Sequence, residues 1–271
     1  MTQAYSDRQR REIEYHRDHA ERHKERALVE PDMDVITDKK RRWWNAYWST
    51  YDLLIAKELN GKKVLVVGCG FGEDALRIAR LGAEVHAFDI SPEVIEVAKR
   101  RAEKFCDGSI HFDVMASESL NYPDDFFDLI YCIDILHHVD IPKTVLEFQR
   151  VVKDGGSLTG DELYTHSWLQ KIRESYLLDK VLYPKMRKFI YQDSTPYITE
   201  DEHKIDEPEF AVIKSILERP SLKYFNFAVG RLVPDKYAIV ARLDRFVMIL
   251  LMGLGRFLAG RVVFDGKIKK Q

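Results

Sequence analysis

A short apolar run that leads directly into three alternating glycines constrains the fold of this chain more than any other feature. Residues 64–67 (VLVV) form the continuous apolar pattern of a strand that is buried on both faces. The segment GCGFG follows at residues 68–72, and residues 73–81 then have the pattern of a helix that ends before Gly82. Glycines at such a turn let the backbone approach a ligand, and the free N–H groups of a helix start attract anionic groups. The pattern therefore predicts a strand, a ligand-binding turn and a helix.

A second predicted strand carries an acid at its end. The segment AEVHAFD occupies residues 83–89, and its last residue, Asp89, lies 21 positions beyond Gly68. At this place an acidic side chain can accept hydrogen bonds from both hydroxyls of a ribose. Ser91 and Pro92 provide a capping hydroxyl and a first-turn proline for the next helix. Together, the glycine turn and the strand-end acid predict a ligand that contains a nucleoside.

Strands and helices continue to alternate up to Gly160, which is typical of a parallel sheet with right-handed crossovers. Further strands are expected at residues 109–114, 127–133 and 156–160, with a helix at 142–152. The expected C-terminal elements are a helix that follows an N-cap at Asp206 and runs to residue 217, a strand within 222–229, a helix at 235–251 and a final strand at 261–267.

Composition and charge exclude several classes of protein. The 271 residues include 42 Lys plus Arg and 44 Asp plus Glu, a net charge of −2, unlike a strongly basic nucleic-acid binder. Cys69, Cys106 and Cys132 form no CxxC pair, so neither a closed zinc site nor a disulfide framework is expected. The N-terminal residues do not resemble a secretory signal, and the longest strongly apolar run, residues 246–255, is too short to span a bilayer. A cytoplasmic, globular protein is the expectation.

The residue after the glycines distinguishes between two classes of nucleoside ligand. A dinucleotide site needs the pattern GxGxxG, which requires a glycine at position 73, where this chain has Glu73. A carboxylate at that helix start would repel a pyrophosphate, so nicotinamide dinucleotides are not expected. We instead expect a less anionic ligand with an ammonium group, which Glu73 or Asp74 could stabilise directly or through water.

Three ordered motifs, KVLVVGCGFGEDA, VHAFDIS and FFDLIYCIDILHHVDIPKTVLEFQRVVKDGG, give residues 62–160 a specific resemblance to the class I S-adenosylmethionine-dependent methyltransferases. The resemblance implies an α/β fold of the Rossmann-like, doubly wound type, with a seven-stranded, mostly parallel sheet whose last strand is antiparallel. It also implies S-adenosylmethionine as the cofactor. The cofactor-binding residues expected on this basis are Gly68, Cys69, Gly70, Gly72 and Glu73 around the methionine part, Asp89 and Ile90 at the ribose, Met115, Ala116 and Ser117 at the adenine, and Cys132 and Ile133 near the sulfonium.

Two positions depart from the family pattern. Family members usually carry an acid two residues before the first glycine, where this chain has Val66, and many carry Asp at the position of Ala116. Neither departure removes the ribose anchor Asp89, but both bear on cofactor affinity. They leave open the alternative of a catalytically inactive subunit or regulator that binds S-adenosylmethionine.

Histidines and acids after the fourth and fifth strands are the expected catalytic candidates. The segment ILHH resembles that of small-molecule methyltransferases, and we favour His138 over His137 as the histidine that faces the cofactor. The alternative for His138 is a hydrogen bond to its own loop. Histidine is the side chain best suited to remove a proton from a hydroxyl or ammonium acceptor at neutral pH. Asp128 is expected to have a structural role, and His203 lies in a segment that faintly resembles a TxDEHP motif. The other candidates for base or substrate-orienting residue are Glu162, Tyr164 and His166.

Residues 1–60 and 161–206 are expected to form a helical lid around the acceptor, with a cofactor-binding core at 61–160 and the sheet completed by 207–271. Aromatic residues recur at helical spacing at positions 44, 47, 48 and 51, which is typical of a helix packed on the core or of an aromatic lid. His16, His19 and His23 share one side of a predicted helix. A polar surface helix is expected there, metal binding is the alternative, and no metal is expected elsewhere.

The expected acceptor is a small or medium-sized organic molecule, methylated on oxygen or, as the second choice, on nitrogen. Nucleic acid is not expected, because no run of Lys and Arg with interleaved aromatic residues marks a backbone-binding groove. Residues 246–264 are apolar apart from Arg256 and Arg261. A core helix is expected there, and a peripheral contact with a membrane or a lipid-linked substrate is the alternative.

Overall fold

The computed structural model describes residues 5–106, 110–173, 175–176, 181, 204–227 and 237–270. Much of the predicted helical insertion at 161–206, including His203, lies outside the described residues.

Seven strands form one sheet at the centre of the molecule: β1 (Lys63–Val67), β2 (Glu84–Asp89), β3 (Ile110–Val114), β4 (Phe127–Ile133), β5 (Val152–Leu163), β6 (Leu217–Phe225) and β7 (Arg261–Ile268). Their order across the sheet is β3-β2-β1-β4-β5-β7-β6. Strands β1 to β5 are parallel, whereas β7 is antiparallel to both β5 and β6. This arrangement confirms the predicted doubly wound, mostly parallel sheet with an antiparallel last strand.

Helices cover both faces of the sheet. Those within the described ranges are α1 (Asp7–Arg22), α2 (Asp34–Thr37), α3 (Lys39–Trp44), α4 (Ala46–Ala56), α5 (Glu73–Arg80), α6 (Pro92–Phe105), α7 (Ile141–Val151), α8 (Ser167–Arg173), α9 (Glu207–Ser215), α10 (Ala238–Leu250) and α11 (Gly255–Leu258), with short 3-10 helices at Lys24–Leu28, Leu136–His138 and Met252–Leu254.

Side chains of β1 alternate between two buried apolar clusters. Leu65 and Val67 pack with residues of α7 and α9, and Val64 and Val66 pack with residues of α4, α5 and α6. Because both faces of β1 are covered, its sequence is continuously apolar and does not alternate between apolar and polar residues. Ligands of such a sheet bind outside the carboxyl ends of its strands.

Helix starts follow the predicted capping chemistry. Ser91 caps α6 by accepting a hydrogen bond from the Val94 N–H, and Asp206 forms a capping box with Glu209 at the start of α9. Asp128 has the expected structural role, because its carboxylate accepts hydrogen bonds from the Lys63 N–H and from Lys153 Nζ, both at 2.8 Å.

The main difference from the predicted elements is the length of β5. The strand was expected to end at Gly160, but it pairs with β7 as far as Leu163. Glu162 is therefore part of the strand and not of a loop above it. The strand predicted within 222–229 is displaced to Leu217–Phe225, since Asn226 has a φ of 64° and ends it.

The N-terminal helices lie against the core. Ala20 of α1 and Ala27 pack with Val94 and Val97 of α6. In α4, Trp48 and Tyr51 are buried, and the Tyr51 hydroxyl donates to Asp74. The aromatic spacing of α4 thus reflects packing on the core. The function of residues 1–60 as a lid remains a prediction.

Candidate active site

A cavity lies at the carboxyl ends of β1, β2 and β4, where the sequence predicted a ligand. It is lined by Gln9, Glu12, His16, Gly68, Gly70, Phe88, Asp89, Ile90, Met115, Ala116, Ser117, Glu118, Asp134, Ile135, His138 and Val139. Seven of the predicted cofactor-binding residues are in this wall, and α1 contributes three residues from the opposite side.

The three glycines have different roles. Gly68 has a φ of 62°, and a Cβ there would lie 2.7 Å from Ile135 Cδ1, so only glycine fits. Gly70 has a φ of 50°, and a Cβ there would meet nothing within 4 Å. Gly72 does not line the cavity, since it stands at the N-cap of α5, where a Cβ would lie 3.2 Å from Ala98 Cβ. The first two glycines therefore shape the cavity, and the third lets α5 approach α6.

Asp89 is held in place by backbone donors. Its Oδ2 accepts from the Gly70 N–H and its Oδ1 from the Ser91 N–H, each at 3.1 Å, and its side chain is buried at the cavity wall. A carboxylate has about four acceptor positions. Both oxygens thus have capacity left for two adjacent hydroxyls of a ligand.

The far end of the cavity is largely apolar. Met115 and Ala116 are buried, and Ser117 Oγ lies 2.9 Å from Thr144 Oγ1. Glu118, two residues beyond Ala116, lines the same end and accepts hydrogen bonds from Gln9 Nε2 and the Asp140 N–H. Glu118 was not among the predicted cofactor-binding residues.

The prediction that Cys69 and Glu73 contact the ligand is not supported by their positions. The Cys69 side chain is buried outside the cavity wall, and burial raises the pKa of its thiol well above the usual value. Glu73 Oε1 instead forms ion pairs with Arg101 at 3.0 Å and Arg26 at 3.3 Å. Asp74 is likewise engaged, by Arg77 and by tyrosine hydroxyls. Neither acid is directed to an ammonium group in the cavity.

The expected contacts near the end of β4 shift along the chain. Cys132 is fully buried, Ile133 packs in the apolar cluster on the α4 face, and neither lines the cavity. Asp134 and Ile135, directly after the strand, line it instead. The prediction was displaced by two residues because the chain turns only at Asp134, where φ is 49°.

His138 lines the cavity and is connected to α1. Its Nδ1 lies 3.2 Å from Glu12 Oε1, and Glu12 Oε2 lies 3.6 Å from His16 Nε2. Burial raises the pKa of Glu12, but hydrogen bonds with His138 and His16 outweigh it, and the pKa falls well below the usual range. Burial lowers the pKa of His16, but Glu12 and the charge of Asp89 outweigh it and raise the pKa. A carboxylate on α1 is therefore ionised between two histidines at the cavity.

The remaining catalytic candidates lie away from the cavity wall. Glu162 is fully buried, and it accepts hydrogen bonds from the Ile135 and Leu136 N–H groups and binds His137 Nδ1 at 2.8 Å. Tyr164 is buried beside Phe210. These contacts place Glu162 behind the loop after β4 and Tyr164 in the core, and neither residue lines the cavity.

His166 was also expected at the acceptor. Its Nε2 lies 2.8 Å from Glu207 Oε1, and its ring packs at 4.6 Å from that of Phe257. His166 therefore connects α9 and α11 and does not line the cavity.

A second cavity shares the lining residue Asp134 with the first. It is lined by Trp44, Asn45, Ala46, Tyr47, Asp134, Asn226, Ala241 and Arg261. Arg261 holds Asp134 Oδ1 at 2.6 Å and Asp161 Oδ2 at 2.9 Å, which fixes the shared wall. The Trp44 Nε1 is buried and has no hydrogen-bond partner among the described residues. A buried donor of this kind is costly unless a ligand or water accepts from it.

The residues of the first cavity fit the cofactor that the motifs imply. A carboxylate suited to a ribose lies beside a glycine whose missing Cβ leaves open space, and an apolar end suits a base. Residues 65–159 match a family model described as a methyltransferase domain. The demethylmenaquinone methyltransferase of Tropheryma whipplei is 27% identical over 190 residues, which cover 68% of this chain and 77% of that protein.

A ubiquinone biosynthesis O-methyltransferase of Xanthomonas oryzae is 32% identical over 47% of this chain and 58% of that protein. The structure of geranyl diphosphate C-methyltransferase from Streptomyces coelicolor, in complex with S-adenosyl-L-homocysteine, superposes with a TM-score of 0.54 at 13% identity, covering 81% of this chain and 75% of that chain. The domain match and the methyltransferase relatives show a class I S-adenosylmethionine-dependent methyltransferase. Its cofactor is S-adenosylmethionine.

Several cavity residues of this methyltransferase were not predicted. Gln9, Glu12 and His16 come from α1, where Gln9 contacts Glu118 and Glu12 contacts His138, each more than a hundred residues away in sequence. The spacing of Glu12 and His16 by four residues placed them on one helix face, but no local pattern indicates which surface that face meets.

The described helices include none that is long and apolar enough to cross a lipid bilayer.

Proposed function

We propose that this methyltransferase transfers the methyl group of S-adenosylmethionine to a hydroxyl oxygen of a small or medium-sized organic acceptor. The observation that carries the proposal is that Asp134 lines both the Asp89 cavity and a second cavity with polar and aromatic walls. His138 lies in the wall of the first cavity with a carboxylate behind it. The names of the relatives support a small organic acceptor, and our choice of oxygen follows those named ubiquinone biosynthesis O-methyltransferases.

The first cavity holds the cofactor through fixed groups. Asp89 would accept hydrogen bonds from the two ribose hydroxyls, and Gly68 and Gly70 would let the methionine part lie close to the backbone. Met115, Ala116 and Ser117 would surround the adenine. When bound, S-adenosylmethionine supplies an electrophilic methyl group, so the protein must position a nucleophile in line and exclude water. Residues of α1 close the cavity on the solvent side.

The second cavity holds the acceptor. The indole of Trp44 offers an apolar face and an unused N–H donor, which suits an oxygen-bearing ring. Asn45 and Asn226 add polar groups, and Asp134 lines both this cavity and the cofactor cavity.

His138 accepts the proton of the acceptor hydroxyl. With Nδ1–H donating to Glu12, the neutral ring presents Nε2 as a base, and Glu12 then stabilises the imidazolium that forms. Glu12 does not touch the acceptor in this scheme and is a positioning residue.

Turnover with matched acceptors tests the proposal. Purified protein is incubated with S-adenosylmethionine and pairs of hydroxybenzenes and aminobenzenes, and release of the demethylated cofactor is measured. We expect transfer to the hydroxyl series, reduced roughly 10²- to 10⁴-fold in His138→Gln. The matched control His23→Gln changes a half-buried histidine of the same N-terminal region that does not line the cavity, and it should keep full turnover.

Three outcomes would contradict parts of this proposal. Transfer to the amines alone would make the enzyme an N-methyltransferase. Cofactor binding without transfer to any acceptor would favour a binding subunit or regulator. Full activity of His138→Gln would remove the assigned base.

A further inference from the structure

Two histidines and a glutamate converge at the edge of the sheet, away from the methyl-transfer site. Glu84 and His86 point to one face of β2, because they are two residues apart, and His111 of the edge strand β3 is the register partner of His86. His86 lies three residues before Asp89, about 10 Å along the strand. The group is therefore separate from the cavity.

The geometry of this group suits a small divalent cation. One ligand atom from each of the three residues lies within 4.8 Å of the others. Glu84 Oε1 and His86 Nε2 are 3.3 Å apart. Zinc bonds to nitrogen and oxygen of about 2.0–2.1 Å give ligand separations of about 3.3–3.4 Å in a tetrahedron. The observed pair already has the length of one tetrahedral edge.

The two histidines lie in largely aromatic surroundings. The His86 and His111 rings stack at 4.6 Å, and His86 packs edge-on against Tyr122, Phe126 and Phe127. An apolar shell of this kind is common around metal ligands.

Lys63 is the positively charged side chain beside Glu84. Lys63 Nζ lies 3.6 Å from Glu84 Oε1 and 4.0 Å from the centre of the Phe126 ring. Its long stem allows the ammonium to move into solvent when a cation arrives. Lys63 is therefore expected to compete with a metal ion and to weaken its binding.

We propose that Glu84, His86 and His111 form a site for Zn²⁺ or a similar borderline divalent cation, with water as the remaining ligand. The ion joins the edge strand β3 to β2 and stabilises that edge of the sheet. Neutral imidazole nitrogens and one carboxylate are ligands that Zn²⁺ accepts in proteins.

The other group of potential ligands is less suitable. Asp134, His137 and Glu162 also converge, but Asp134 is paired with Arg261 at 2.6 Å and Glu162 accepts hydrogen bonds from two backbone N–H groups. On α1, the His19 ring stacks on Phe71 at 5.3 Å while His16 is paired with Glu12. These engagements favour the Glu84 group over both alternatives.

Titration of the chelator-treated full chain with ZnCl₂ tests the site by calorimetry and by the visible absorption of bound Co²⁺. We expect one Zn²⁺ per chain, a raised melting temperature, and a tetrahedral Co²⁺ spectrum. His111 is exposed, and His111→Ala should lower the affinity for Zn²⁺ by at least ~10- to 100-fold, which is the effect of losing an outer-shell partner. Glu84→Gln should also weaken it, and Lys63→Met should strengthen it.

His23→Ala is the matched control, because it removes a half-buried histidine of the alternative group at the C-terminal end of α1. It should bind Zn²⁺ like the unmodified protein. The proposal is overturned if no Zn²⁺ binds, if His111→Ala and Glu84→Gln both bind with unchanged affinity, or if His23→Ala abolishes binding. Cofactor binding is measured in parallel, and it should not change in any of these variants.

Discussion

At the scale of single residues, the sequence indicated the anchors of the cofactor site but not the direction of every side chain. Gly68, Gly70 and Asp89 could be predicted because a tight turn and a ribose each demand a residue type at a fixed place. Cys69 and Glu73 lie in the same segment, yet Glu73 forms an ion pair with Arg101. That partner lies 28 residues away on another helix, so no local pattern reveals it.

Gly70 and Gly61 provide a matched pair of glycines. Both have positive φ values, 50° and 71°, and a Cβ at either would meet nothing within 4 Å. Replacement by alanine should therefore cost each about 1–2 kcal/mol of unfolding free energy. Only Gly70→Ala should lower the affinity for S-adenosylmethionine, by about tenfold or more, because its new methyl group projects into the cavity. Calorimetry and thermal unfolding of both variants check this expectation, and equal cofactor affinity in the two would contradict it.

Trp44 tests the acceptor cavity. Trp44→Phe keeps an aromatic ring but removes the unused N–H donor. The loss of one hydrogen bond of about 1 kcal/mol should raise the KM for an oxygen-bearing acceptor roughly fivefold with little change in kcat. Steady-state kinetics with a hydroxyl acceptor measure the effect. A lower kcat at constant KM would place Trp44 in the chemical step instead.

At the scale of elements, α1 is the least predictable part of the site. The alternation of strands and helices indicated the sheet, and the capping residues indicated where α6 and α9 begin. By contrast, α1 is mostly charged, and its contacts with the loop after β4 join residues far apart in sequence, as in the Arg8 guanidinium donating to the His137 carbonyl. Helix formation was predictable from local chemistry, whereas the docking surface depends on the assembled fold.

The lowered pKa of Glu12 predicts how docking of α1 responds to acid. The ionised carboxylate contributes stability that is fully present above the unfolded pKa of 4.5 and is lost as the pH falls towards the lower folded pKa. The difference in unfolding free energy between the unmodified protein and Glu12→Gln should therefore shrink by about 1 kcal/mol between pH 5.5 and 3.5. Urea unfolding at several pH values measures it. A difference that stays constant, or grows, on acidification would show that Glu12 is not ionised in a docked helix.

At the scale of the whole molecule, the strand order brings the two cavities together. The tips of β1 and β2 carry the glycine turn and Asp89, and the tip of β4 carries Asp134 in the wall of both cavities. Arg261 at the start of β7 holds Asp134 against Asp161 of β5. The antiparallel course of β7 is what brings residue 261 to the carboxyl edge of the sheet. The motifs implied this topology, but the shared wall depends on three strands and could not be inferred from any one of them.

Calorimetric titration of S-adenosylmethionine into the unmodified protein, Asp89→Ala and Asp128→Asn tests the central claim most directly. Asp128 is the control, since it is a strand acid with bonds to Lys63 and Lys153 outside the cavity wall. Circular dichroism verifies that each variant is folded. We predict that Asp89→Ala loses roughly 10- to 100-fold in affinity, as expected for hydrogen bonds to a charged group, and that Asp128→Asn binds normally. Equal affinity of folded Asp89→Ala and the unmodified protein would contradict the assignment of this cavity to the cofactor.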